Sequence, residues 1–142
     1  MIFNTNSEAE TIQVAHDFAL TLNPHDIVLI YGDLGLGKSV FSRGIIRTLT
    51  GNENMDVPSP TFTLVQTYDT PKTVIYHFDL YRLKSPEECY EIGWEDALGF
   101  GLLLIEWPEK LGYLKPKEFI QVDLTSGDNP TSRLITIQRN NL

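Results

Sequence analysis

Apolar positions along the chain follow two rhythms, and each change of rhythm marks an element. Ser7-Glu8-Ala9-Glu10 has the form of a capping box. Ile12, Ala15, Phe18, Ala19 and Leu22 follow it at helical spacing, which predicts a helix from about Glu8 to Leu20. The turn cluster Asn23-Pro24-His25-Asp26 closes that segment, and the unbroken run Ile27-Val28-Leu29-Ile30-Tyr31 reads as a strand buried on both faces. After a glycine-rich stretch, Val40, Phe41, Gly44, Ile45, Thr48 and Leu49 return to helical spacing until Gly51 supplies a stop. Residues Thr61 to Tyr68 and Thr73 to Asp79 are rich in β-branched and aromatic types and predict an antiparallel hairpin across Asp69-Thr70-Pro71-Lys72. Ser85-Pro86-Glu87-Glu88 caps a short helix ending at Gly93, and another is expected near Trp94 to Leu98. Gly101 to Ile105 reads as a second buried strand, stopped at Glu106-Trp107-Pro108 because proline cannot continue a central ladder. Phe119 to Leu124 and Leu134 to Gln138 predict a closing hairpin around the turn-rich Thr125 to Ser132. No repeat and no linker divides the chain, so residues 1–142 are expected to form one α/β domain with a mixed parallel and antiparallel sheet flanked by helices.

Between the first buried strand and its helix lies Gly32-Asp33-Leu34-Gly35-Leu36-Gly37-Lys38-Ser39, which matches G-x-x-x-x-G-K-[ST] in the context that motif needs. Glycines let the backbone turn with positive φ and bring N–H groups close to phosphate oxygens, while the helix N-terminus directs its positive end at the same anion. Lys38 is then placed to meet the outer phosphates and the Ser39 hydroxyl to ligate Mg²⁺. In a shuffled chain of this composition the four fixed positions would arise with a probability of roughly 0.4%, before strand and helix context is required. The nucleotide-contacting stretch is therefore taken as Asp33, Leu34, Gly35, Leu36, Gly37, Lys38, Ser39 and Val40.

A phosphate loop needs carboxylates to hold a metal ion and orient water. Asp79 ends the run Val74-Ile75-Tyr76-His77-Phe78, and Glu106 ends Leu102-Leu103-Leu104-Ile105 in the same manner; each is either a site acid or a solvated strand end. Thr61, in Ser59-Pro60-Thr61-Phe62, stands where nucleotide hydrolases carry a γ-phosphate-sensing segment, or else at a proline-kinked strand entry. Arg82 is open to a phosphate, a partner or a surface ion pair, and Trp107 to the core or a cover over the site. His16, His25 and His77 lack metal-ligand spacing, and Cys89 reads as helix packing.

Composition narrows the setting. Eleven Lys and Arg against nineteen Asp and Glu give a net charge of -8, which repels a phosphate backbone over most of the surface and argues against autonomous nucleic-acid binding. A lone cysteine excludes an intramolecular disulfide and a multi-cysteine metal cage. No apolar run approaches the 18 or so residues of a membrane span, and Met1-Ile2-Phe3-Asn4 does not open an export signal, so a cytoplasmic location is expected.

GDLGLGKS, VPSPTFTLVQTY, YHFDLYRL and LLLIEWPEKL, in this order and at these separations, resemble the TsaE (YjeE) family, small bacterial ATPases of tRNA threonylcarbamoyladenosine biosynthesis. The resemblance runs from the N-terminal helix to about Leu111 and implies a P-loop nucleotide-binding fold with parallel strands at Ile27–Tyr31 and Leu102–Ile105. It implies ATP and Mg²⁺ as cofactors, weak hydrolysis by the chain alone, and action with two partner proteins, TsaB and TsaD, with tRNA met only through that assembly. It further implies that Lys38 and the loop bind phosphates, that Ser39 and Glu106 hold Mg²⁺, that Asp79 is the Walker-B-like acid, and that Thr61 lies in a switch-like segment. Lys38, Asp79 and Glu106 are thus the expected catalytic residues, and Ser39, Glu106 and Asp79 the expected metal group. Leu36 replaces an alanine common in the family, adding bulk beside the phosphates, and Ser39 replaces threonine while keeping the hydroxyl.

Three rivals share the loop. A small-molecule kinase usually carries an arginine-bearing lid and an acceptor insertion, but this chain has five arginines and no long insertion. A guanine-nucleotide switch would carry N-K-x-D, which is missing from the sequence. A subunit that binds nucleotide without hydrolysing it has the same sequence features as a slow ATPase.

Overall fold

The computed structural model describes residues 1–140. In chain order the elements are β1 (Ile2–Thr5), α1 (Glu8–Ala19), β2 (Ile27–Tyr31), α2 (Lys38–Thr50), β3 (Val65–Asp69), β4 (Val74–Asp79), α3 (Trp94–Ala97), β5 (Leu102–Glu106), β6 (Phe119–Ser126) and β7 (Arg133–Asn140). Two 3₁₀ segments, Pro86–Ile92 and Pro108–Leu114, flank α3 and β5 in sequence.

All strands join one sheet in the order β1-β7-β6-β2-β5-β4-β3. The four central strands β6, β2, β5 and β4 are parallel neighbours, and antiparallel strands close both sides. The expected mixed sheet with β2 and β5 parallel at its centre is therefore present. Both are covered on two faces, which is why they read as continuous apolar runs rather than alternations. Val28, Ile30, Leu102 and Leu104 pack under α1 and α2. Leu29, Leu103 and Ile105 face the opposite layer, built on Phe78, Leu80, Cys89, Trp94 and Leu111.

The helices start and stop on the signals in the sequence. Ser7 accepts a hydrogen bond from the Glu10 N–H at 3.2 Å, and the Glu10 carboxylate accepts from the Asn6 N–H at 2.9 Å, fixing the start of α1. α1 then lies close against α2 because Gly44 has no side chain: a Cβ there would stand 2.8 Å from that of Ala15. Gly51, at φ 73°, ends α2 in the left-handed conformation.

Two expectations need correction, and one strand was not expected. The strand expected from Thr61 begins only at Val65; Pro60 to Leu64 is a turn, closed by the Leu64 N–H donating to Pro60 O at 2.6 Å, with Leu64 at φ 69°. The helix expected after Ser85 is a 3₁₀ segment, although its capping box is present. The strand β1, unforeseen, pairs antiparallel with β7 from Ile2↔Thr136 to Thr5↔Arg133. No helix among the described residues is long and apolar enough to cross a membrane.

Candidate functional site

The parallel strands deliver their carboxyl ends to one edge, which is where open α/β sheets place ligand sites. Register does the positioning: Asp79 of β4 pairs with Glu106 of β5, and Glu106 pairs with Ile30 of β2 on its other side. Both carboxylates therefore end their strands at the same level, beside the point where β2 leaves the sheet and becomes the loop 32–37. A cleft of about 500 Å³ opens there.

The loop owes its shape to glycines at positive φ: Gly35 at 79° and Gly37 at 98°, the latter as the N-cap of α2. Within it the Leu36 N–H donates to Asp33 O at 3.3 Å, whereas the N–H groups of Gly35, Gly37, Lys38 and Ser39 meet no protein acceptor among the described residues. Those donors and the N-terminus of a 13-residue helix converge on one end of the cleft, an arrangement suited to an anion. Lys38 folds back along the loop, where its ammonium donates to Gly32 O and, at 3.1 Å, to Asp33 O. It also lies 3.9 Å from the centroid of the Trp107 ring. Burial pushes the Lys38 ammonium below its ordinary pKa, against the pull of Glu106, Glu109, Asp79 and Asp33.

Glu106 is only 2% exposed and sits among three donors-in-waiting. The Ser39 hydroxyl donates to Oε1 at 3.3 Å, the Ser42 hydroxyl to Oε2 at 3.3 Å, and His77 Nε2 lies 2.6 Å from Oε2. Asp79, 4% exposed, is held differently: the Tyr81 N–H donates to Oδ1 at 3.1 Å and the Thr61 hydroxyl to Oδ2 at 3.0 Å. Ser59 is 2.9 Å from Thr61 and reaches the same carboxylate oxygen at 3.5 Å. The turn that displaced the expected strand thus carries Thr61 onto Asp79. Two buried carboxylates and a serine hydroxyl form an oxygen donor set suited to a hard cation such as Mg²⁺, which takes one or two carboxylates together with phosphate and water.

Asp33, Leu34, Gly35, Leu36, Gly37, Lys38, Ser39, Val40, Thr61, Asp79 and Glu106, all expected from the sequence, come together here; every one except Asp33 lines the cleft, and Asp33 contributes its carbonyl to Lys38. Trp107 lines it too, in a left-handed backbone conformation at φ 58°, ψ 50°, with the Tyr81 ring tilted against it, its centroid 4.9 Å away. Arg82 does not join the site; its guanidinium lies over the Phe62 ring at 5.1 Å.

Sequence reasoning missed His77, Ser42, Ser59 and Arg133. His77 is two residues before Asp79 on a strand and Ser42 three after Ser39 on a helix, so face periodicity was a usable signal for both. Arg133 carried none. It reaches from β7 to donate to Leu36 O at 3.0 Å and Gly35 O at 3.2 Å, bracing the loop from outside. The cleft is lined further by Ser7, Glu8 and Thr11 at the start of α1 and by Pro130 and Thr131 of the β6–β7 turn.

The chain resembles known proteins over nearly its whole length. The family described as threonylcarbamoyl adenosine biosynthesis protein TsaE matches residues 5–135. A Rickettsia bellii protein named tRNA threonylcarbamoyladenosine biosynthesis protein TsaE is 56% identical over 119 residues, covering 84% of this chain and 82% of the relative. A Haemophilus influenzae protein of the same name is 36% identical over 127 residues, covering 87% and 79%. The crystal structure of Bacillus subtilis YdiB superposes with a TM-score of 0.78 at 27% identity, covering 99% of this chain and 86% of that one. With its fold and nearly its whole length matched, the chain belongs to the TsaE family of threonylcarbamoyl adenosine biosynthesis proteins.

Proposed function

We propose that this chain binds ATP with Mg²⁺ in the cleft and hydrolyses it in the service of tRNA threonylcarbamoyladenosine synthesis, in the cytoplasm and together with TsaB and TsaD. The observation that carries the reading is the convergence of unpaired loop N–H groups, a lysine ammonium and two register-paired carboxylates on one end of the cleft. The loop N–H groups and the start of α2 bind the phosphates, and Lys38 turns from the carbonyls of Gly32 and Asp33 to the outermost ones. Ser39 and Glu106 hold Mg²⁺, with Asp79 beside them; the ion supplies neutralisation of phosphate charge when bound. Asp79 keeps its Oδ1 fixed by the Tyr81 N–H and ties Thr61 and the 59–61 turn to the γ-phosphate end. Ser7, Glu8, Thr11, Pro130 and Thr131 border the nucleoside end, so the start of α1 and the β6–β7 turn meet one ligand. The net charge of -8 fits an energy-supplying subunit whose partners hold the tRNA.

Equilibrium dialysis of radiolabelled ATP, GTP and ADP with and without Mg²⁺ tests the binding step. Saturable ATP binding strengthened by Mg²⁺ and lost in Lys38→Ala is expected. Failure to bind ATP, or a preference for GTP, refutes the reading.

A further inference from the structure

The two oxygens of Glu106 live in different surroundings. Oε2 faces two protein donors on buried residues, His77 from β4 and Ser42 from α2, which are 1% and 0% exposed. Oε1 faces the Ser39 hydroxyl alone, at the cleft. The imidazole itself has one short contact, 2.6 Å from Nε2 to Oε2, while Nδ1 is buried without a hydrogen-bond partner among the described residues. A proton on Nδ1 would leave an N–H with no acceptor in an apolar interior and would also turn the Nε2 lone pair onto the carboxylate oxygen 2.6 Å away. The proton therefore resides on Nε2, and His77 is a donor to the carboxylate.

We propose that His77 and Ser42 are positioning residues that lock Oε2 of Glu106, so that the carboxylate acts on the Mg²⁺–nucleotide site through Oε1 only. This rests on the ATPase reading above and deepens it. His77 and Glu106 are on neighbouring strands, with His77 opposite Leu104 and Asp79 opposite Glu106, so the sheet fixes the imidazole two pairs below the acid. Ser42 follows Ser39 by one helical turn, so the same face of α2 presents one hydroxyl to each oxygen. A carboxylate pinned at one oxygen has lost the rotation that would let it chelate with both. It is thereby preset as a single, directed ligand, which suits the strict octahedral demand of Mg²⁺ better than a freely turning side chain.

Two experiments test this. The first uses the purified wild-type chain without nucleotide or metal: long-range ¹H–¹⁵N correlation of ¹⁵N-histidine-labelled protein, with the His77 resonances identified by their loss in His77→Gln. His77 is expected to carry a far-downfield, slowly exchanging proton on Nε2. A proton on Nδ1, or a freely exchanging Nε2 proton, overturns the lock. The second compares ATP hydrolysis by His77→Leu and His77→Gln. Glutamine places an amide N–H near the position of Nε2 and leucine places none. Leucine is expected to lower kcat about 10–100-fold with KM for ATP changed less than about threefold, and glutamine to recover most of the loss. Equal activity of wild type, His77→Leu and His77→Gln, or a change confined to KM, overturns the positioning role. If wild type itself hydrolyses no ATP, the ATPase reading fails and the single-oxygen role at the Mg²⁺–nucleotide site is overturned with it. The tautomer measurement stands apart from that outcome and still separates a locked Oε2 from a free one.

Discussion

Replacing Lys38 by methionine separates the loop's function from its stability. Methionine keeps most of the aliphatic stem, which matters because Lys38 is only 6% exposed. What disappears is an ammonium held by Gly32 O and Asp33 O and lying over the Trp107 ring. For binding, the lost charge removes about two charge-assisted hydrogen bonds to phosphate oxygens, each worth about 1.5–3 kcal/mol, so ATP affinity should fall about 10²–10⁴-fold. For folding, the terms nearly cancel. The two loop carbonyls belong to half-buried Gly32 and exposed Asp33 and can turn to water, and a cation–π contact of about 1 kcal/mol is lost. Against this, burial has pushed the ammonium below its ordinary pKa, which means the fold bears a cost to keep it charged, and methionine removes that cost. The expected net change is within about 1 kcal/mol, or about 2–4 °C in Tm for a chain near this size. Paired calorimetry and ATP titration of wild type and Lys38→Met check both halves. Unchanged ATP affinity refutes the loop assignment. A Tm drop beyond about 8 °C shows instead that the lysine props the loop and that lost binding reports collapse.

Other substitutions probe other parts of the account. Thr61→Val removes the hydroxyl that donates to Asp79 Oδ2 at 3.0 Å and should lower kcat about 10-fold while ATP affinity changes little; an unchanged kcat in steady-state assays separates the 59–61 turn from the chemistry. Gly101→Ala should destabilise the fold by about 1–3 kcal/mol in urea titrations, because its Cβ would stand 2.3 Å from Val74 O and 2.7 Å from the Tyr76 ring; a neutral result contradicts the close approach of β4 to β5. Burial pushes the Cys89 thiol up to about 11 from an ordinary value of 9.0, so the unfolded chain loses this proton first as pH rises. Stability should therefore fall between pH 9 and 11 by up to about 1.4 kcal/mol per pH unit from this group, and Cys89→Ala should flatten that slope in pH-dependent urea melts.

The sequence was most legible where local chemistry and tertiary role coincide. The run Ile27–Tyr31 and the loop after it announced a strand, a turn and a helix because the phosphate-binding geometry needs glycine at positive φ and because a doubly covered strand must be apolar throughout. Glu106 was visible as a candidate because a carboxylate ending four apolar residues stands beside a phosphate loop that needs one. The four residues of β1 gave no such signal: Ile2 is 69% exposed, and the strand is held by backbone pairing to β7, which any sequence can supply. Residues 61–64 misled because threonine and phenylalanine favour strands, while Pro60 and the left-handed Leu64 impose a turn through backbone geometry. His77 had the right spacing from Asp79 but no metal-ligand pattern, and its meaning depends on β5 lying alongside. Arg133 was illegible because its acceptors are backbone carbonyls of Gly35 and Leu36, nearly a hundred positions earlier.

The most direct test of the account is Mg²⁺-dependent ATP hydrolysis by the purified chain, measured alone and after addition of TsaB and TsaD, with Lys38→Ala as the control. Weak turnover alone, strong stimulation by the two partners and loss of both in the variant are the predicted result. Partner-independent turnover, or none under any of these conditions, contradicts a partner-activated ATPase and leaves a subunit that acts by some other use of its nucleotide cleft.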